Sequence, residues 1–330
     1  MPQVSIIIVS WNNLKYLSNC LSRLSLQVFQ NFEIIIIDNG SKNREDIVNS
    51  IKIHNQVDLQ VKYLSSNLGF SAANNIASRL ARGKWIALLN ADAYPEPDWL
   101  KSLIQTAESH PEYSSFSSRQ IQEKNPDLLD GAGDAYHISG LAWRNGYQLP
   151  AKIHSLEKIE VFSACGAAAL FRRNDFINIG GFDEDFFSYF EDVDLGFRLR
   201  LQGKKCLYVP DAVVYHVGSA STGKRSDFSV YYGYRNMIWT FFKNMPSPLI
   251  WYLLPVHVFT LVFFILYLSL RGQGKAILNA IIDAIKGLKR VLKQRKIIQA
   301  NIKIDSSELL NAMSTGWFEP YLEFKRRKAK

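Results

Sequence analysis

Short apolar runs alternate with stretches of helical spacing through the first ninety residues. Val4 to Val9 is β-branched apart from Ser5, as in a strand covered on both faces. A helix-like stretch follows from about Leu14 to Leu26, and Phe32 to Ile37 is a second buried strand. Val61 to Leu64 is a weaker third strand, Ser71 to Leu80 reads as a helix, and Trp85 to Leu89 as a fourth strand. Strands alternating with helices predict right-handed crossovers and an α/β fold with a mainly parallel, doubly wound sheet. Residues 114–160 show no clear period and read as loops and short strands. Phe162 to Phe171 reads as a further strand. A helix is expected from about Glu191 to Gly203, with Asp194 and Arg198 spaced to pair on its surface.

In such sheets ligands collect at the carboxyl ends of the strands. Here those ends carry Trp11-Asn12, Asp38-Asn39 and Asn90-Ala91-Asp92. Asp92 suits a magnesium-type cation, which takes one or two carboxylates with waters and phosphates; an Asp before Pro95 also suits a simple turn. Asp38-Asn39-Gly40-Ser41 reads equally as a turn or a ligand contact. No G-x-G-x-x-G follows the first strand and no Walker A sequence is present, which argues against a dinucleotide site or an ATPase.

Glu191-Asp192-Val193-Asp194 places three carboxylates at one helix start. The helix dipole alone favours acids there, but the preceding Phe186, Phe187, Tyr189 and Phe190 add apolar walls that raise a carboxylate toward a useful base. His216, after Val213-Val214-Tyr215, reads as a buried structural histidine or a metal ligand.

Charge changes the picture only at one end. The 330-residue chain has a net charge of +9, yet residues 1–270 hold 25 basic and 25 acidic residues. Residues 271–330 hold 14 and 5. A neutral body with a basic tail points to an anionic surface touched by the tail alone; the acidic cluster in the body argues against nucleic acid as the partner. Cys20, Cys165 and Cys206 form no Cys-x-x-Cys pair, so neither a disulfide framework nor a zinc knuckle is indicated, and a reducing cytosol is the expected compartment. The chain begins directly with the strand-like run, without a signal-peptide pattern.

Taken in order, the motifs resemble family 2 glycosyltransferases, whose catalytic domain has the GT-A fold. The matching pieces are Val4 to Asn12, Ile37-Asp38-Asn39-Gly40-Ser41, Asn67-Leu68-Gly69-Phe70 through Asn74-Asn75, and Ala81-Arg82-Gly83-Lys84-Trp85. They continue with Leu89-Asn90-Ala91-Asp92, Gly180-Gly181-Phe182-Asp183-Glu184, Glu191 to Leu195 and Tyr215-His216-Val217-Gly218. The resemblance covers roughly residues 4–240 and implies a catalytic domain 1–240 with a tail 241–330.

It also implies roles. Val9, Trp11, Asp38 and Asn39 would line the base pocket of a nucleotide-sugar donor, and Asn67, Gly69 and Asn74 the nearby wall. Asn90-Ala91-Asp92 stands where the family keeps Asp-x-Asp, with Asn90 replacing the first acid. Asp92 is then the main ligand of a divalent Mg2+ or Mn2+, with His216 the second. Asp192 falls at the catalytic base, with Glu191 beside it, and Gly166, Ala167, Gly181 and Phe182 would border the acceptor. The implied reaction is an inverting, metal-dependent transfer of a hexosyl group to a glycan or lipid-linked hydroxyl. Tyr231-Tyr232-Gly233-Tyr234-Arg235-Asn236 is similar to a segment of the bacterial rhamnosyltransferase-like branch, which favours dTDP-rhamnose or a UDP-sugar; an aromatic packing stripe reads equally well there. The competing class is a non-catalytic, membrane-anchored nucleotide-sugar-binding or scaffold protein, which would not need Asp92, Glu191, Asp192 and His216 together.

Leu249 to Leu270 lacks any charged residue over 22 positions, enough to span a bilayer. Pro255 and His257 weaken that reading, and a single span would put the basic tail outside, against the positive-inside tendency. Residues 275–298 are amphipathic, with Ile277, Leu278, Ile281, Ile282, Ile285 and Leu288 against Lys286, Lys289, Arg290 and Lys293. The expectation is an interfacial or re-entrant anchor at the cytoplasmic face of the membrane. A hairpin packed on the catalytic domain stays open, and the sequence leaves the oligomeric state undetermined.

Overall fold

The computed structural model describes residues 1–42, 58–152, 156–218, 226–316 and 319. The last basic cluster, from Lys325 to Lys330, lies outside the described residues.

The expected parallel half is present. β1 (Val4–Ser10), β2 (Phe32–Asp38), β3 (Asp58–Tyr63) and β4 (Trp85–Leu89) pair in parallel in the order β3-β2-β1-β4. α1 (Leu14–Leu24) and α2 (Gly69–Leu80) make the crossovers. α1 buries Leu17, Cys20, Leu21 and Leu24 on one side of the sheet, and α2 buries Ala73 and Ala77 on the other. The motif at Arg82-Gly83 locks this layer. Glu33 on β2 accepts from Ser5 Oγ at 2.6 Å and from Arg82 Nε at 2.7 Å. A Cβ at Gly83 would lie 2.6 Å from the Ser5 nitrogen, so only glycine fits that turn.

Beyond β4 the sheet becomes mixed. β5 (Ala93–Pro95) leads to α3 (Trp99–Ser109), and then comes β6 (Tyr113–Gln122), a ten-residue strand in a region expected to be irregular. Its sequence YSSFSSRQIQ is polar, so no apolar run announces it, yet Ser114, Ser115, Ser117 and Ser118 are all buried. β7 (Asn125–Gly131) pairs with β6, while β8 (Asp134–Tyr136) and β9 (Ala142–Arg144) form a separate hairpin. After β10 (Ile159–Val161), β11 (Ala168–Arg172) inserts antiparallel between β4 and β6. The expected strand from Phe162 is therefore regular only from Ala168. α4 (Arg173–Asn178), α5 (Glu191–Leu201) and β12 (Lys205–His216) complete this half, with β12 parallel to β6.

The Asp194–Arg198 pair is not on a surface. Asp194 is fully buried, its Oδ2 2.8 Å from Arg198 Nε and its Oδ1 2.7 Å from Lys243 Nζ. The reason is tertiary: α6 (Asp227–Asn244) packs across α5 and brings Lys243 and Asn244 onto it. The division expected at residue 240 falls inside α6.

α7 (Ser247–Leu270) and α8 (Gly274–Gln299) turn back along α6, followed by α9 (Ser306–Ala312). α7 runs unbroken past Pro255 and is long and apolar enough to cross a membrane by length and composition. One side of it is nevertheless packed on protein. His257, near its middle, is fully buried, approaches the Ser139 carbonyl at 2.7 Å through Nδ1, and stacks on Phe241 at 4.0 Å.

Candidate active site

The strand ends converge because β1 and β2 stop at one level, with β4 ending just short of it. Ser10 is the register partner of Asp38, and the Asn39 N–H donates to the Ser10 carbonyl at 2.8 Å. A cleft of about 400 Å³ opens above them.

On one wall, Asn39 Oδ1 accepts from the Leu68 N–H at 2.9 Å, and Asn39 Nδ2 donates to Asn67 Oδ1 at 2.9 Å and to the Gly69 carbonyl at 3.1 Å. Asn67 Oδ1 also accepts from the Gly69 N–H at 2.8 Å. Gly69 has φ +85, and a Cβ there would meet Phe187 at 2.6 Å, so the position excludes other residues. Val9 and Trp11 join Asn39, Asn67 and Gly69 in lining the cleft. Asp38 lies beneath them, fully buried, its Oδ1 accepting from the Ser41 N–H at 3.3 Å. Asn74 is also buried and donates to the Phe70 carbonyl within its own helix at 2.9 Å. Neither is among the lining residues.

At the end of β4, Asn90, Ala91 and Asp92 line the floor with His216 from β12. His216 Nε2 lies 3.4 Å from Asp92 Oδ1, while its Nδ1 is 2.7 Å from Asp130 Oδ2. Arg144 of β9 pairs with the same Asp130 oxygen. Burial disfavours the charged imidazole, but the bonds to Asp130 and Asp92 outweigh it and hold His216 up to about 9. Burial likewise works against the Asp92 carboxylate, and the His216 partner overcomes it, leaving Asp92 below the usual range. With the Nε2 proton of His216 displaced, a carboxylate facing a histidine nitrogen whose other ring nitrogen is fixed by a second carboxylate is a donor set that fits a divalent cation.

The opposite wall is the head of α5. Asp192 Oδ2 accepts from the Gly166 N–H at 2.9 Å and Oδ1 from the Val193 N–H at 2.8 Å. Glu191 Oε2 and Asp134 Oδ2 are buried with no hydrogen-bond partner among the described residues. Burial, then the nearby Asp192, pushes both of these carboxyls well above their usual range. Asp134, Cys165 and Asp192 also bring ligand-type atoms within 4.8 Å of one another. Burial pushes the Cys165 thiol up to about 12, so this group is a poorer match for a hard cation than Asp92 with His216.

Gly166 and Ala167 line the cleft beside Asp192, but Gly181 and Phe182 do not. Phe182 is buried in the core, its N–H donating to Asn75 Oδ1 at 2.9 Å, and the Gly181 carbonyl accepts from Arg198 Nη2 at 2.8 Å. These two residues support α5 from behind.

The aromatic residues that precede α5 lie in a strained loop. Phe187, Tyr189 and Phe190 have φ of 65, 67 and 67 degrees, a region that costs a non-glycine residue about 1–3 kcal/mol. Asn236 Nδ2 holds this segment, donating to the carbonyls of Phe186 and Ser188 at 3.0 Å each and of Tyr189 at 2.7 Å. Arg235 Nη2 donates to the Asp185 carbonyl at 2.9 Å. Tyr232 stacks on Phe187 at 5.2 Å. The Tyr231–Asn236 segment thus packs as an aromatic stripe and clamps the loop that leads into Asp192. Asp130, Asp134 and Arg144 sat in the stretch without a period, where no local signal marked them.

Comparison with known proteins agrees with this fold. The model of glycosyl transferase family 2 matches residues 5–180. The N-acetylglucosaminyl-diphospho-decaprenol L-rhamnosyltransferase of Mycobacterium tuberculosis is 28% identical over 246 residues, covering 66% of this chain and 77% of that protein. Rhamnosyltransferase WbbL of Escherichia coli K12 is 29% identical over 246 residues, covering 68% and 87%. The crystal structure of GalNAc-T7 with UDP, GalNAc and Mn2+ superposes with a TM-score of 0.60 at 18% identity, covering 73% of this chain and 47% of that one, so the chain spans about half its length. That likeness carries the fold. The strand-end cleft, the carboxylates that line it and the family match over residues 5–180 lead to one conclusion: this chain belongs to glycosyl transferase family 2.

Proposed function

We propose that the chain is an inverting, metal-dependent glycosyltransferase that moves a sugar, dTDP-rhamnose or a UDP-sugar being the favoured donors, onto a hydroxyl of a lipid-linked or glycan acceptor at the cytoplasmic face of the cell membrane. The observation that carries the reading is the placement of Asp192 in the same cleft as Asp92 and His216. The named substrate of the mycobacterial relative supports a lipid-linked acceptor.

Val9, Trp11 and the Asn39–Asn67–Gly69 frame receive the nucleotide. Asp92 and His216 would hold a divalent cation, Mg2+ or Mn2+, which would supply charge neutralisation for the diphosphate of the donor. Asp192, its two oxygens fixed by backbone N–H groups, accepts the proton of the attacking hydroxyl. Attack on the anomeric carbon opposite the departing diphosphate inverts the configuration, and the chain contributes positioning and electrostatics with no covalent intermediate.

The test is a donor screen that follows nucleoside diphosphate release with a lipid-linked acceptor pool. Asp192→Asn keeps the shape and removes the base, so turnover should fall by roughly 10²–10⁴-fold while nucleotide affinity persists. Asp92→Ala should abolish transfer and weaken metal-dependent nucleotide binding in a folded protein. Near-normal turnover in Asp192→Asn, or chelator-insensitive activity in Asp92→Ala, overturns the assignment.

A further inference from the structure

α7 presents two unlike sides. The inner side is backed by protein along its length: Leu249 and Ile250 pack with Phe241 and Met245, His257 is pinned at Ser139, and Leu268 packs with Ile277. The outer side exposes Trp251, Tyr252, Phe259, Val262, Leu266 and Leu270, at 73%, 79%, 66%, 49%, 62% and 90%. A contiguous apolar face of that size has no reason to stay in water.

A helix crossing the bilayer would carry whatever is bonded to its middle, here the non-helical β8–β9 turn, into the hydrocarbon region, where lipid-exposed irregular backbone does not occur. Here the middle is occupied by a buried histidine bonded to another part of the chain, so the helix lies along the body and offers one face outward. α8 returns beside it and leaves Lys275, Lys286, Lys289, Lys293 and Lys296 exposed among Leu278, Ile282 and Ile285. Its single acid, Asp283, is already engaged by Lys286 at 2.9 Å and by Tyr231 at 2.8 Å. An apolar face beside a helix with several exposed lysines and a single acid is complementary to an anionic lipid surface and not to a second, identically charged copy.

We propose that the outer face of α7, with the lysines of α8, docks flat on an anionic phospholipid bilayer without crossing it, and sets the β8–β9 wall of the cleft on the membrane side. The link is short. His257 contacts the turn that joins β8 to β9, and Ala142, Trp143 and Arg144 of β9 line the cleft. A membrane-borne acceptor would therefore enter past β9 and meet Asp192 from that side. This orientation rests on the reading of the acceptor as lipid-linked; the docking itself does not.

The test is sedimentation of the full chain with vesicles of phosphatidylethanolamine and phosphatidylglycerol, and with phosphatidylcholine alone. Wild type should bind the anionic vesicles. Phe259→Glu with Leu266→Glu should weaken binding by about a hundredfold, and Lys286→Glu with Lys289→Glu by about tenfold or more, with high salt mimicking the latter. Both variants change exposed residues, and unchanged nucleotide binding would show that they fold. A photoactivatable lipid should label peptides within 247–297 and leave β2 and β3 untouched. Retained vesicle binding in the Phe259/Leu266 variant, or labelling centred elsewhere, overturns the proposal. So does a wild-type dimer that ignores vesicles and is split by that variant, which would make the face a contact between copies. Vesicle binding as stated with no sugar transfer would leave the docking intact and remove the catalytic reading. Transfer to a soluble acceptor without vesicle binding would do the reverse.

Discussion

The two walls of the cleft are held by different means. The wall of Asn39, Asn67 and Gly69 is built from the ends of neighbouring parallel strands and the helix that follows, and its hydrogen bonds join residues about thirty positions apart or fewer. The wall that carries Asp192 hangs on a strained loop, and that loop is secured by groups arriving from the C-terminal helices. Lys243 Nζ reaches Asp183 Oδ2 and Asp194 Oδ1 at 2.7 Å each, and Arg290 pairs with Asp183 at 3.3 Å. Asn236 takes up three loop carbonyls. One wall is a product of the sheet; the other depends on the tail.

The strongest way to break that contrast is to remove the tail. A chain ending at Asn244 loses Arg290, the bond from Trp239 Nε1 to the Ala284 carbonyl at 3.0 Å, and the Arg295 contact with the Phe242 carbonyl at 3.0 Å. It should show no cooperative thermal transition by circular dichroism. If it melts cooperatively and still binds nucleotide, the tail is an appendage and the contrast fails.

Next in size is the buried charge cluster. Lys243→Met leaves Asp183 and Asp194 without their shared cation, and breaking a buried pair on one side typically costs about 3–5 kcal/mol. Denaturant unfolding should show that loss. Asp194→Asn, which an exposed helical pair would tolerate, should also destabilise the protein, because Arg198, Lys243 and Asn244 all converge on that carboxylate. A change near zero in both would mean that the cluster is not structural.

A smaller and more selective effect is expected from Asn236→Ala. Three carbonyls lose the Asn236 amide, that of Phe186 keeping Arg235 Nη2 at 3.0 Å, and displacement of the loop by about 1 Å is enough to lower turnover by up to about 100-fold. Nucleotide affinity should fall less than turnover, because the bonds between Asn39, Asn67 and Leu68 do not involve the loop, although Phe187 touches that wall at Phe70. Parallel loss of affinity and turnover would show that the walls are not independent. The smallest effect belongs to Asn39→Ala, which loosens the wall at Asn67–Gly69 without removing a group that meets the reacting atoms and should weaken nucleotide binding about fivefold, equivalent to about 1 kcal/mol, measured by calorimetry. Turnover at saturating donor should be unchanged.

The parallel half and its strand ends were legible because β1, β2 and β4 are apolar on both faces and stop abruptly at polar residues. β6 was not, because a strand of small serines buried against neighbours carries no apolar period. His216 and Asp92 were singled out separately; that they face each other depends on β12 pairing with β5 just past Asp92. Asp130 had no local signal. Its role comes only from β7 folding against β6, which brings it to His216 across 86 positions of sequence.

By itself the sequence determined where apolar runs end, where carboxylates and asparagines cluster, and that one C-terminal helix is apolar and the next amphipathic. These are local properties, set by side-chain type at the period of a strand or a helix. Tertiary structure alone decided that Asp194 is buried, that Asn236 clamps a strained loop, and that the apolar helix is pinned at its centre. Each of those depends on a partner about 40 to 120 residues away. Local pattern specifies which faces must be covered, and only packing decides what covers them.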